Sequence, residues 1–296
     1  MERKPWHGVL VASALPFDSH LEVDFDAYAS HITWLAESGC EGVTPNGSLG
    51  EYQTLSDAER ARVVETAFAA APAGFSVIPG VGAYGSRDSV RWAEHAAGAG
   101  ASAVMLLPPN SYRADDASVV AHFRAVAAVG LPVLAYNNPF DTKVDLTPEL
   151  LARLSGEGLI VAVKEFACDP RRFYAIHELA PDLDLLIGSD DTMLEGAIAG
   201  AVGWVSGFTN SLPVSCGDLY RAAVAGDLAT AVPLYRTLHA LLRWDARPEF
   251  VQAIKLSMDV VGRQGGPCRP PRGALTPEVE ATIREQMEKV LAEGLS

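Results

Sequence analysis

The chain alternates eight times between a short apolar run and a longer amphipathic segment. The runs are GVLVASALPF (8–17), CEGVTPN (40–46), FSVIPGVG (75–82), ASAVMLLPP (101–109), PVLAYNNP (132–139), LIVAVKEFA (159–167), LDLLIGSD (183–190) and VGWVSGF (202–208). Short apolar runs of this kind read as strands covered on both faces, and helical segments between them make parallel β–α units. The intervening stretches carry the expected helix signals. Ser56, Ser86 and Thr147 (before Pro148 and Glu149) predict N-caps, while Gly39 and Gly100 predict helix ends. Eight units close a (β/α)8 barrel, so the chain is read as an α/β TIM barrel over 1–225. Residues 226–296 hold helical patterns without strands, such as LATAVPLYRTLHALLRW and PEFVQAIKLSMDVVG, and predict additional C-terminal helices packed on the barrel.

One residue breaks the pattern. Lys164, among only five lysines in 296 residues, follows the unbroken apolar run from Leu159 to Val163. An ammonium in a strand covered on both faces is costly unless it is paired or neutralised. Either Lys164 reaches solvent at the strand end beside Glu165, or it is held without its charge. In a barrel the chemistry gathers at the carboxyl ends of the strands. That rule brings Ser48, Glu51, Tyr136, Asn137, Lys164, Asp190 and Asp191 to one rim. A lysine amine attacks a carbonyl carbon only when neutral, and desolvation lowers its pKa from the usual value of about 10.4. A phenol such as Tyr136 can move the protons that carbinolamine formation and dehydration require.

The other motifs are weaker. NGSLGEY (46–52) is a glycine-flanked turn after a strand; its backbone N–H groups and the Ser48 hydroxyl can cradle a carboxylate, or it is a plain βα loop. Gly80-Val-Gly82-Ala-Tyr-Gly85 matches GxGxxG, but the next strand ends without the acidic residue a dinucleotide site wants, so it reads as a turn. The strand-end carboxylates Glu51, Glu165, Asp190 and Asp191 raise glycosidase or divalent-metal chemistry, but no ligand spacing supports it. Glu165 follows Lys164 directly and so faces the opposite side of its strand.

Net charge narrows the partners. With 37 acidic and 23 basic residues the chain carries −14, which argues against nucleic acid and for a small-molecule ligand. Cys40, Cys168, Cys216 and Cys268 show no metal spacing and predict reduced thiols, hence a cytoplasmic protein. The N-terminal apolar run is interrupted by Ser13 and Pro16, so neither a signal peptide nor a membrane span is expected.

GSLGE after the second strand, YNNP at the fifth and VKE at the sixth, in that order and register, resemble the dihydrodipicolinate synthase/N-acetylneuraminate lyase family. The resemblance runs through GSDD and GAVGWVSGFTN to the C-terminal helices. It implies a homotetramer (a dimer of dimers) that holds a 2-oxo acid as a Schiff base with no metal or organic cofactor. Carried over, Lys164 becomes the Schiff-base lysine and Tyr136 its proton donor and acceptor. Ser48 and the amide of Leu49 hold the substrate carboxylate, and Val205 lines the floor. On the rim, Asp141 and Asp190 are further candidates for binding substrate. The protonated imine is an electron sink that permits aldol reactions or loss of water or ammonia from the neighbouring carbon.

Departures from the pattern narrow the activity. The synthase branch places an arginine two positions after the YNxP proline to grip the second substrate's carboxylate, and here Asp141 stands there, where it would repel one. PPNSYRAD sets Tyr112 beside the place of the tyrosine that a neighbouring synthase subunit contributes; Asn110 or Ser111 falls on it, and Tyr112 is the candidate relay. The relay hydroxyl is a serine followed by Leu49 where threonine is common. After the eighth strand Gly207 and Phe208 stand where lyase members often place hydroxyl groups. The expected activity is a Schiff-base lyase of another 2-oxo acid, as in sugar-acid or hydroxyproline breakdown. The alternatives are dihydrodipicolinate synthase itself and a non-catalytic barrel that binds 2-oxo acids.

Overall fold

The computed structural model describes residues 3–110 and 112–296. Each of the eight apolar runs holds one strand: β1 (Gly8–Ala12), β2 (Gly42–Thr44), β3 (Ser76–Val77), β4 (Val104–Leu106), β5 (Val133–Asn137), β6 (Ala162–Glu165), β7 (Asp184–Ile187) and β8 (Gly203–Ser206). All pair in parallel, in the order β3-β2-β1-β8-β7-β6-β5-β4. The two ends of that series meet just beyond β3, where Met105 N–H donates to Pro79 O and Val81 N–H to Met105 O, both at 2.9 Å. The sheet is thereby closed into a barrel.

Helices follow the strands: α1 (Phe25–Glu37), α2 (Asp57–Ala70), α3 (Ser86–Ala99), α4 (Asp116–Ala127), a single turn α5 (Pro139–Thr142), α6 (Pro148–Gly156), α7 (Arg171–Leu179), α8 (Met193–Ile198) and α9 (Pro213–Val224). Ser56 caps α2 in a reciprocal capping box with Glu59, and Thr147 caps α6. Ser86 does not cap α3. The cap position is Gly85, one residue earlier, and the Ser86 hydroxyl instead bonds His122 Nδ1 at 2.9 Å.

Alternation along the strands divides the core in two. Leu10, Ala103, Leu134, Ala162, Leu186 and Val205 fill the barrel interior, whereas Val9, Val104, Ala135, Val163 and Ile187 face the helices. Three further helices, α10 (Leu228–Leu242), α11 (Phe250–Val260) and α12 (Pro277–Ala292), bury Leu238, Ile254, Ile283 and Met287 in the same cluster that lies under the barrel helices. An ion pair locks this segment to the barrel: Lys255 Nζ, 2% exposed, donates to Glu51 Oε1 at 2.9 Å, and Arg269 N–H donates to Glu51 Oε2 at 3.0 Å. Among the described residues no helix is long and apolar enough to cross a membrane.

Candidate active site

Parallel pairing sets Tyr136 on β5 directly beside Lys164 on β6, so both side chains point into the barrel mouth. Lys164 is only 6% exposed. Its Nζ lies 4.3 Å from the centroid of the Tyr136 ring and 5.8 Å from that of Phe166, which meets Tyr136 edge-on. Among the described residues no carboxylate stands within salt-bridge distance of this nitrogen. The alternative pairing with Glu165 does not occur. Glu165 points outward, accepts from Asn137 Nδ2 at 3.0 Å and pairs with Arg172 at 3.0 Å. The stem of Lys164 packs on Gly188, where a Cβ would come within 3.0 Å of Lys164 Cγ and 2.4 Å of Glu165 O.

Burial draws the Lys164 pKa below the ordinary lysine value, and the more distant charges of Asp245 and Asp190 act against that shift. Burial likewise raises Tyr136, although Asn138 Nδ2 donates to its hydroxyl at 3.2 Å. The resting pair is therefore driven toward a neutral amine beside a neutral phenol, the protonation states in which one can attack and the other can donate.

Above the pair opens a cavity of about 710 Å³. Ser48 and the buried Leu49 line it from the turn after β2, together with Tyr136, Lys164 and Asp141. Asp141 stands at the exposed mouth, and Asn138 Nδ2 reaches its carboxylate at 2.9 Å as well as the Tyr136 hydroxyl. Val205 lies deeper, in the interior layer of the barrel.

One expectation changes. Asp190 does not face the cavity. It is fully buried, and its carboxylate accepts from Trp204 Nε1 (2.9 Å), Ser206 Oγ (3.2 Å) and the N–H groups of Gly207 (3.1 Å) and Phe208 (2.8 Å). With its lone pairs spent on two side chains of β8 and on the backbone just after it, it has none to offer the cavity. Tyr112 is 58% exposed and does not line the cavity of its own chain; Asn110 instead reaches inward, to the Tyr52 hydroxyl at 3.3 Å. Ser111 lies outside the described residues.

Three cavity residues had no sequence signal that singled them out. Asn138 sits inside YNNP, where its role depends on the turn that follows. Tyr52 is brought in by the turn before α2. Asp245 comes from the loop between α10 and α11, remote from every strand end, and only its packing on Gly207 reveals it.

A family model described as "Dihydrodipicolinate synthetase family" matches residues 5–291. A Rhizobium meliloti protein described as an uncharacterized DapA-like lyase is 32% identical over 97% of both chains. The 4-hydroxy-tetrahydrodipicolinate synthase of Methanothrix thermoacetophila is 32% identical over 96% of this chain and 97% of its own. Among solved structures, dihydrodipicolinate synthase from Aquifex aeolicus superposes with a TM-score of 0.92 at 28% identity, covering 97% of this chain and 98% of the other. YagE, an Escherichia coli prophage protein of the same family solved with pyruvate, gives 0.90 at 25% identity, covering 96% and 98%.

Proposed function

The chain belongs to the dihydrodipicolinate synthetase family and is a lyase of that family; from that premise we propose that it transforms a 2-oxo acid through an imine on Lys164, its substrate being neither of the two that name the synthase and neuraminate-lyase branches. One observation carries the reading: a buried amine, 6% exposed, set over the ring of a buried phenol. The neutral amine attacks the ketone carbon. Tyr136 then donates its proton to the departing hydroxyl, water leaves, and the resulting iminium draws electrons from C3. Ser48 and the Leu49 amide receive the carboxylate from the turn after β2, and Val205 supports the carbon chain from below. The lysine imine supplies the electron sink, so the scheme calls on no metal or organic cofactor. The pyruvate complex of YagE supports a pyruvate-like head group.

Asp141 narrows the choice of substrate. At the mouth of the cavity its carboxylate repels a second carboxylate arriving there, which disfavours aspartate semialdehyde and favours dehydration, deamination or aldol cleavage of a sugar-acid or hydroxyproline-derived substrate. Borohydride added with pyruvate is expected to fix a covalent adduct on Lys164, read by peptide mass analysis. Lys164→Ala is expected to abolish turnover and leave the thermal transition in place. An unmodified Lys164 in the parent protein would overturn the reading. Relatives named 4-hydroxy-tetrahydrodipicolinate synthase favour that activity as the second reading. Turnover of pyruvate with aspartate semialdehyde in a coupled assay would establish it. A ligand-dependent rise in melting temperature with no trapped imine would instead indicate a non-catalytic barrel. Tyr112, exposed on its own chain, can serve as a relay only in another copy's cavity. A solution mass of a single chain would exclude both that role and the homotetramer, whereas a dimer would exclude only the homotetramer. A cytoplasmic location fits four cysteines that are all free.

A further inference from the structure

Two buried aspartates lie near Lys164, and they are built differently. Asp190 accepts from four donors and has no capacity left for a ligand. Asp245 is 8% exposed and lines the cavity. The one hydrogen bond to its carboxyl group among the described residues is from Asp190 N–H to Oδ2, at 3.2 Å. A carboxyl group has acceptor sites for several donors, so most of those on Asp245 are open. The bare backbone of Gly207 makes room for it, since a Cβ there would lie 2.7 Å from Asp245 Oδ1.

Position around the barrel separates Asp245 from Tyr136. The strand order β8-β7-β6-β5 puts Tyr136 on one side of Lys164. The ends of β7 and β8, where Asp245 packs on Asp190 and Gly207, lie on the other side. Lys164 is thus flanked by two ionisable side chains on opposite sides. Resting on the lysine-imine reading above, we propose that Asp245 is a second catalytic residue: it protonates the hydroxyl or amino group that leaves C4 of the imine-bound 2-oxo acid, and the reaction is an elimination of water or ammonia rather than an aldol cleavage.

The proton balance closes. Tyr136, having given its proton to the carbinolamine hydroxyl, accepts the C3 proton and leaves an enamine. The enamine electrons form the C3–C4 double bond as the C4–O or C4–N bond breaks. The departing atom keeps the bonding pair and takes the Asp245 proton, and the iminium is restored. Hydrolysis of the iminium uses one water and releases the proton that recharges Asp245. Aldol cleavage would need a base at the C4 oxygen instead. Burial, reinforced by the Asp190 charge and opposed by Lys164, pushes Asp245 well above the usual carboxylate range, which favours the donor form.

The test compares two 2-oxo acids that differ only in the need for a proton on the leaving group: 4-hydroxy-2-oxobutanoate and 4-chloro-2-oxobutanoate. In Asp245→Asn, loss of water is expected to fall by more than about a hundredfold, whereas loss of chloride over background stays within about tenfold of the parent. Retained chloride loss also shows that the variant is folded. Equal falls for both acids, no fall for either, or no water loss by the parent despite chloride loss would overturn the proposal. So would release of pyruvate and formaldehyde from the hydroxy acid. Borohydride trapping with pyruvate on the same parent sample reads Lys164 separately: no adduct sinks the imine itself, while an adduct beside any of those failures sinks only the role of Asp245.

Discussion

Lys164 and Tyr136 are neighbours because two parallel strands are in register, and each alters what the other can do. A buried amine next to a charged phenolate would be held as an ammonium, and a buried phenol next to an ammonium would ionise more readily. Burial pushes both toward neutrality. Removing the phenol alone separates positioning from proton transfer. Tyr136→Phe keeps the ring that packs on the lysine stem and on Phe166 but loses the hydroxyl. Its kcat is expected to fall by about a hundredfold to ten-thousandfold, while the pyruvate adduct still forms, more slowly, under prolonged borohydride treatment. Undiminished kcat would show that another group carries the protons.

At the scale of elements, the loop that carries Ser48 is held by something far away in sequence. Glu51 ends that loop in the left-handed region, at φ +52°. Its carboxylate is satisfied by Lys255 on α11 and by the Arg269 backbone. Breaking a buried ion pair on one side leaves an uncompensated charge, at a cost of about 3–5 kcal/mol. Glu51→Gln is therefore expected to lower the denaturation midpoint and to weaken binding of the 2-oxo acid carboxylate together, because one contact serves both. The pair Glu51→Gln with Lys255→Met should recover part of the stability. A double variant less stable than the sum of the singles would contradict this account.

The whole molecule has a built-in weakness toward acid. His31 on α1 is buried, and its Nε2 bonds Asn210 Oδ1 at 3.0 Å, an oxygen that also accepts from Ala14 N–H at 3.0 Å. An acceptor oxygen requires the proton on Nε2, and Nδ1 has no partner among the described residues. Charging the ring would place a proton where nothing receives it, and burial lowers the His31 pKa from 6.5 to about 4. The unfolded chain thus binds a proton that the folded one refuses. His31 stabilisation is fully present above pH 6.5 and is lost as pH falls toward 4, at roughly 3 kcal/mol over that interval. Urea midpoints measured from pH 7 to pH 4 should fall less steeply in His31→Gln than in the parent. Parallel slopes would place the acid lability elsewhere.

Local patterns in the chain were enough for the barrel, because strand periodicity and helix caps are short-range properties and eight units leave one way to close. They were enough also to set Lys164 beside Tyr136, since an isolated charge in an apolar run is conspicuous and neighbouring parallel strands carry both residues to the same end. The tertiary structure decided the surroundings of the acidic groups. Asp190 and Asp141 both stand at strand ends, yet one is saturated by a loop and the other lies open at the mouth. Asp245, on a loop no strand pattern points to, reaches the cavity only because the C-terminal helices fold back over the barrel. Hydrogen-bond capacity is consumed by whichever donors packing brings near, and that accounting exists only in three dimensions.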